Sequence, residues 1–250
     1  MRSDTTAFVR STALRRSKHE KLTGVLAIVG SGEYLSPMND VDRQLIELFE
    51  TPPRVVCLPT AAGREGDSMI DDWSRRGVAH FSGLGVEAES VRVWDRVTAN
   101  DIALAERIAG ADFVYLSGGN PGYLHRTLES TLAWDAIVEV IGRGGLLAGC
   151  SAGAMIQGEA FTGLPRPHDG FGLWPGIHIV PHFDEIPATI VSAMRVTVGR
   201  RRTLVGVNAN TALVNNDGTY HVLGDEVTVW TPTHKTRYGA GELPPDALSG

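Results

Sequence analysis

Five short apolar runs constrain this chain more than any other feature of its 250 residues. They cover residues 25–29, 54–58, 86–94, 112–116 and 145–148. Four of them are essentially continuous and too short for a buried helix, which is how a strand covered on both faces reads, while 86–94 is a further strand interrupted by Glu87, Glu89 and Arg92. Between them lie segments with apolar residues at helical spacing: 41–49 behind Asn39, 67–84 with Trp73 and Phe81 inward, 100–108 capped by Asn100, 124–128 and 134–141. Strands that alternate with amphipathic helices specify an α/β fold, a mostly parallel sheet flanked by helices. Ligands of such sheets bind beyond the carboxyl ends of the strands. Four turns would gather there: 30–33, 60–63, 117–122 and 149–153.

The last hundred residues change character. Residues 161–175 are rich in Gly and Pro and read as a loop over the site. Residues 177–180 form a strand that ends in Pro181-His182-Phe183-Asp184-Glu185. A helix is expected over 187–199, and strands over 203–207 and 212–215. Asn216-Asp217-Gly218 is a hairpin turn leading into strands at 220–223 and 227–230. These strands are expected to form an antiparallel C-terminal extension of one domain spanning 24–238. Residues 1–23 are polar and basic without an apolar period, which suits a flexible arm, and 239–250 suit a loose tail.

Composition excludes several classes. The net charge of −6 leaves no basic footprint for nucleic acid. No apolar run approaches the roughly 20 residues of a membrane span, and the N-terminus has no apolar secretory core. Cys57 and Cys150 both fall in apolar runs, which points to buried thiols in a reducing compartment rather than a disulfide framework. The expected location is the cytoplasm. No Cys/His pattern matches a zinc site, Gly30-Ser31-Gly32 lacks the third glycine of a dinucleotide fingerprint, and no phosphate-loop lysine follows a glycine-rich turn. No cofactor or metal is expected.

The chemistry concentrates at Gly149-Cys150-Ser151-Ala152-Gly153. A Gly-x-Ser-x-Gly sequence between a buried strand and a helix has the form of a nucleophile elbow, with the serine hydroxyl held out of the sheet. Ser151 is therefore the candidate nucleophile. Cys150 competes, but it lacks the flanking glycines at minus two and plus two. A nucleophilic serine needs a base. Of the eight histidines, His182 stands at a strand's carboxyl end, where site residues collect, whereas His80 and His125 suit solvated helix faces. Asp184, two residues on, would share a face with His182 on an extended segment and is the candidate acid behind the base. Glu185 is the next candidate, with Glu33 and Glu159 in reserve. Ala152 and the turn Gly118-Gly119-Asn120 are the candidate oxyanion and substrate-binding residues. Arg195, Arg200, Arg201 and Arg202 offer a fork for a substrate carboxylate, or simply a favourable helix C-terminus.

Together, Gly30-Ser31-Gly32-Glu33, Ser117-Gly118-Gly119-Asn120, Gly149–Ala154, Pro181-His182-Phe183 and Gly206–Ala212 resemble peptidase family S51. That family contains aspartyl dipeptidase (peptidase E) and cyanophycinase and has the class I glutamine amidotransferase-like fold. The resemblance runs over about residues 25–230. It implies a Ser151 nucleophile, a His182 base, oxyanion donors at Gly119 and Ala152, a metal-free site and a homodimer. It also implies hydrolysis of small peptides after an aspartyl residue through an acyl-enzyme. The chain departs from the family at one point: where members often carry a triad glutamate, it has Ala209 after Asn208. In the amidotransferases of this fold the acid stands two residues after the histidine, the position of Asp184. Two alternatives stay open: an inactive family member that binds a small acidic ligand or a partner, and a glutaminase-like amidotransferase homologue.

Overall fold

The computed structural model describes residues 23–162, 167–198 and 202–249. The expected arm over 1–23 therefore lies outside the described residues, except for Thr23. Among the described residues the twelve strands are β1 Val25–Val29, β2 Val55–Leu58, β3 Ala88–Ser90, β4 Phe113–Leu116, β5 Leu146–Cys150, β6 Gly158–Phe161, β7 His168–Asp169, β8 Trp174–Val180, β9 Thr203–Val207, β10 Ala212–Asn216, β11 Thr219–Trp230 and β12 Lys235–Glu242. The α-helices are α1 Asn39–Ile46, α2 Asp67–Gly83, α3 Ile102–Ala109, α4 Pro121–Leu128, α5 Leu132–Gly142, α6 Ala152–Met155 and α7 Ala188–Val198.

All strands join one sheet in the order β3-β2-β4-β5-β1-β10-β11-β9-β8-β6-β7, with β12 paired to β11. The first five in that order are mutually parallel, as the alternating pattern requires. Their side chains alternate between two cores. Leu26, Ile28, Val114 and Leu147 face one side with Ile137 and Val140 of α5. Ala27, Val29, Phe113 and Ala148 face the other, with Leu45 of α1 and Phe81 of α2. Both faces of β1, β2, β4 and β5 are covered, so these strands are apolar throughout, whereas β3 at the edge of the sheet is half-buried and carries Glu89 and Ser90.

The C-terminal half departs from the expected pattern in three places. β10, β11 and β9 pair antiparallel, but α7 carries the chain across so that β8 and β9 are parallel. The loop over 161–175 contributes the two-residue strand β7 at the edge of the sheet. The expected tail is not loose. β12 runs to Glu242, Leu243 donates its N–H to the Tyr220 carbonyl at 2.8 Å, and Leu243, Ala247 and Leu248 are buried in the first core. Smaller differences lie at helix starts: Asp101 rather than Asn100 caps α3, its carboxylate accepting from Leu104 N–H.

Within the sheet, β5 and β8 are separated by four strands, yet α6, which begins where β5 ends, packs against both. The sheet therefore curls around α6, whose Ala152, Gly153 and Ala154 are all buried. That curl brings the carboxyl ends of β5 and β8 together.

Candidate active site

At the end of β5 the backbone reverses abruptly. Ser151 has φ 49° and ψ −106°, a conformation that costs on the order of 1–3 kcal/mol for a residue with a side chain. Its N–H donates to the Val29 carbonyl at 3.0 Å, which ties the turn to β1. The flanking glycines have steric reasons. A Cβ on Gly149 would lie 2.2 Å from the Gly153 carbonyl oxygen, and one on Gly153 would lie 2.5 Å from the Leu116 carbonyl oxygen. Small residues let α6 press onto β5 and β4.

His182 follows β8 with φ 52° and ψ 36°, another left-handed residue at the same end of the sheet. Its Nε2 lies 3.0 Å from Ser151 Oγ. The two residues assigned from sequence as nucleophile and base are thus in hydrogen-bond contact.

The carboxylate that meets the ring differs from the one expected. Residues Phe183–Glu185 form a 3-10 turn instead of an extended segment, and a 3-10 turn stacks residues i and i+3. Glu185, three residues on, therefore comes under the ring, with Oε2 3.5 Å from His182 Nδ1. Asp184 turns away, its Oδ1 accepting the Ala209 N–H at 2.8 Å. Glu185 is 61% exposed, so this contact is solvated rather than buried.

Around Ser151 the candidate oxyanion residues divide. Ala152 is the first residue of α6, so its N–H has no intrahelical acceptor. Gly118 N–H is already engaged, donating at 2.9 Å to Oε1 of Glu33. Gly119 follows with its α-carbon pressed against Ala61, and the Asn120 N–H anchors the turn on the Ala61 carbonyl. The Asn120 side chain is committed as the N-cap of α4, accepting from Tyr123 N–H at 2.8 Å. Gly118 is thus engaged by Glu33 and Asn120 is a structural cap, while Ala152 directly follows the serine.

Cys150 is fully buried, and its thiol donates to Glu33 Oε2 at 3.0 Å. Burial, reinforced by the nearby Glu33 carboxylate, pushes its pKa well above the usual thiol range. It is a poor nucleophile beside a half-buried serine. Cys57 is likewise buried, its pKa pushed up to about 12, chiefly by desolvation.

Elsewhere, His80 is not on a solvated face as expected. Its Nε2 lies 2.7 Å from Oδ2 of the fully buried Asp42, a structural pair between α1 and α2. Arg195 donates to the carbonyls of Arg202 and Thr231, and Arg202 pairs with Glu159 at 2.8 Å. Arg200 and Arg201 lie outside the described residues. Glu159, a reserve acid, is thus spoken for. Among the described residues no group of three or more His, Cys, Asp or Glu side chains converges as a metal site. No helix among them is long and apolar enough to cross a membrane.

Sequence reasoning placed Glu33 only among reserve acids and missed its bridge between Gly118 and Cys150. The usable signal was its position in the turn after β1, at the same sheet edge as the serine.

The sequence matches the family model of peptidase family S51 over residues 26–223. The chain belongs to that family. A solved peptidase from an acI-B1 actinobacterium superimposes with a TM-score of 0.80 at 32% identity, covering 88% of this chain and 96% of the other. A candidate peptidase E from Listeria monocytogenes EGD-e superimposes with a TM-score of 0.59 at 20% identity, covering 80% and 98%, and shares the fold. No curated protein sequence matches. Family S51 membership makes the chain a peptidase, with the mixed sheet and antiparallel C-terminal strands of that fold.

Proposed function

We propose that this S51 protein is a serine-type peptidase that cleaves a small aspartyl-containing peptide or a related amide in the cytoplasm. The observation that carries the reading is the 3.0 Å contact between His182 Nε2 and Ser151 Oγ at a strained strand-to-helix turn. Ser151 Oγ attacks the scissile carbonyl carbon as His182 takes its proton. The new C–O bond gives a tetrahedral intermediate whose oxygen lies near the N–H groups of Gly119 and Ala152. The C–N bond then breaks, and His182 returns the proton to the leaving amine. Water repeats the sequence on the acyl-enzyme and frees Ser151. Glu185 faces the other ring nitrogen and favours the imidazolium that forms at each step. Its exposure makes that help modest. The turn of Ser151 is a nucleophile elbow in this reading, and aspartyl preference rests on the family resemblance.

A fluorophosphonate probe tests the nucleophile. Labelling is expected on the peptide that contains Ser151 and is expected to vanish in Ser151→Ala. Label that persists in that variant, or its absence from the wild type, would refute the assignment. Hydrolysis of aspartyl dipeptides against the same sequences with Asn in place of Asp tests the substrate class.

A further inference from the structure

The turn after β1 holds more strain than a connection requires. Glu33 is flanked by Gly32 at φ 89° and Tyr34 at φ 64°. A Cβ at residue 32 would meet Asn210 Oδ1 at 2.2 Å, and Tyr34 adopts its left-handed conformation at a cost of about 1 kcal/mol or more. The surroundings hold the turn in place. Gly30 N–H donates to the Thr211 carbonyl at 3.0 Å and Asn210 N–H to the Ser31 carbonyl at 3.1 Å. The Tyr34 ring is buried against Trp73, Phe81 and Tyr115, with its hydroxyl 3.1 Å from Ser117 Oγ.

This turn aims the Glu33 carboxylate between the two segments that form the candidate site. Oε1 accepts the Gly118 N–H at 2.9 Å and Oε2 the Cys150 thiol at 3.0 Å. Both donors are neutral, and a half-buried carboxylate without a cation among the described residues is a weak choice if stability were its only role. A Cβ on Gly118 would lie 2.4 Å from Glu33 Oε1 and 3.3 Å from Ser151 Cβ. The carboxylate and the serine therefore both crowd the side of Gly118 where its missing Cβ would stand. Gly118 immediately precedes Gly119, and Cys150 immediately precedes Ser151.

We propose that Glu33 is a positioning residue for the oxyanion site. By holding Gly118 N–H it sets the plane in which the next amide, Gly119 N–H, points. By holding the Cys150 thiol it fixes that amide against Ser151 and Ala152. The inference rests on the serine-peptidase reading and assigns Glu33 no contact with substrate. A donor misplaced by about 1 Å loses roughly two orders of magnitude, which sets the scale of the effect.

Kinetics of fluorophosphonate labelling test it without a known substrate, with wild type and Ser151→Ala run in parallel. Glu33→Ala is expected to lower the maximal labelling rate about 10- to 100-fold while the half-saturating probe concentration stays within about threefold. Glu33→Gln keeps a carbonyl oxygen for Gly118 N–H and is expected to recover most of the rate. An unchanged rate in Glu33→Ala overturns the proposal. So does Glu33→Gln as impaired as Glu33→Ala, which would assign the role to charge, or a change confined to probe affinity, which would assign it to ligand contact. If Glu33→Ala does not fold, Glu33→Gln and Cys150→Ala decide. Positioning predicts a mild rate loss in Cys150→Ala at unchanged probe affinity, and an unaltered rate there speaks against it. A wild type that is not labelled at Ser151 defeats the serine-peptidase reading, and this inference with it. A labelled wild type with a normal Glu33→Ala rate defeats this inference alone.

Discussion

His182 is held at φ 52° two residues beyond the end of β8, and the three residues behind it form a single 3-10 turn. That conformation decides which carboxylate the imidazole meets. On an extended segment Asp184 would lie on its side. In the observed turn Glu185 does, at 3.5 Å, while Asp184 closes the turn on Ala209 N–H. Asp184→Ala is therefore expected to leave fluorophosphonate labelling of Ser151 near the wild-type rate and to lower stability by up to about 1 kcal/mol, read as a small shift in the urea midpoint. Glu185→Gln is expected to do the reverse, with stability unchanged and the labelling rate reduced less than about tenfold, because a solvated pair is screened. A larger loss in Asp184→Ala than in Glu185→Gln would restore Asp184 as the acid. The contact between Ser151 and His182 was legible because each follows a strand's carboxyl end with a residue type that suits its proposed role. The carboxylate beside the ring was not, because a two-residue offset indicates a shared face only if the backbone is extended, and nothing in Phe183-Asp184-Glu185 announces a 3-10 turn.

At the scale of elements, α6 is the part the proposed site cannot do without. It has only four residues, too few to be stable alone, and is held by packing against β5, β1, β4, β6 and β8. Gln157 anchors its far end, donating to the Ala27 and Gly153 carbonyls and accepting from Trp174 Nε1. Gly153 makes the close approach to β4 possible. In Gly153→Ala the new methyl would meet Leu116 backbone and Cβ at 2.5–2.8 Å, so α6 must move away from β4 and carry the Ser151 turn with it. The expected outcome is a loss of about 1–3 kcal/mol, the usual cost of overpacking, together with slower labelling of Ser151. Full stability with normal labelling would mean that α6 can shift without moving the serine. The glycine spacing was readable from sequence; the reason for it was not, since the crowding comes from Leu116, distant in the chain.

For the molecule as a whole, the parallel half of the sheet was readable because strands buried on both faces are apolar throughout. The C-terminal half was harder. β12 is mostly exposed and has glycines at 239 and 241, so it carries no apolar period, and its place is set by pairing with β11. The parallel β8–β9 pair depends on α7 crossing between them, which strand patterns alone do not reveal. This half holds a buried group that links stability to pH. His178 in β8 is 1% exposed, with Nε2 3.1 Å from Thr162 Oγ1 and Nδ1 without a partner among the described residues. Burial, helped by the positive charge of Arg202, pushes its pKa down from 6.5 to about 4. Between those values the unfolded chain binds the proton and the folded one does not, so stability rises with pH. The contribution is fully present above pH 6.5 and falls away as the pH drops towards 4, by about 3 kcal/mol at most. His178→Leu removes the titrating ring. Carboxylates titrate in both proteins, so the difference in urea stability between wild type and variant isolates His178. The wild type is expected to lose ground relative to the variant as the pH is lowered from 7 to 4.5, and parallel curves would mean that His178 takes up its proton in the folded state.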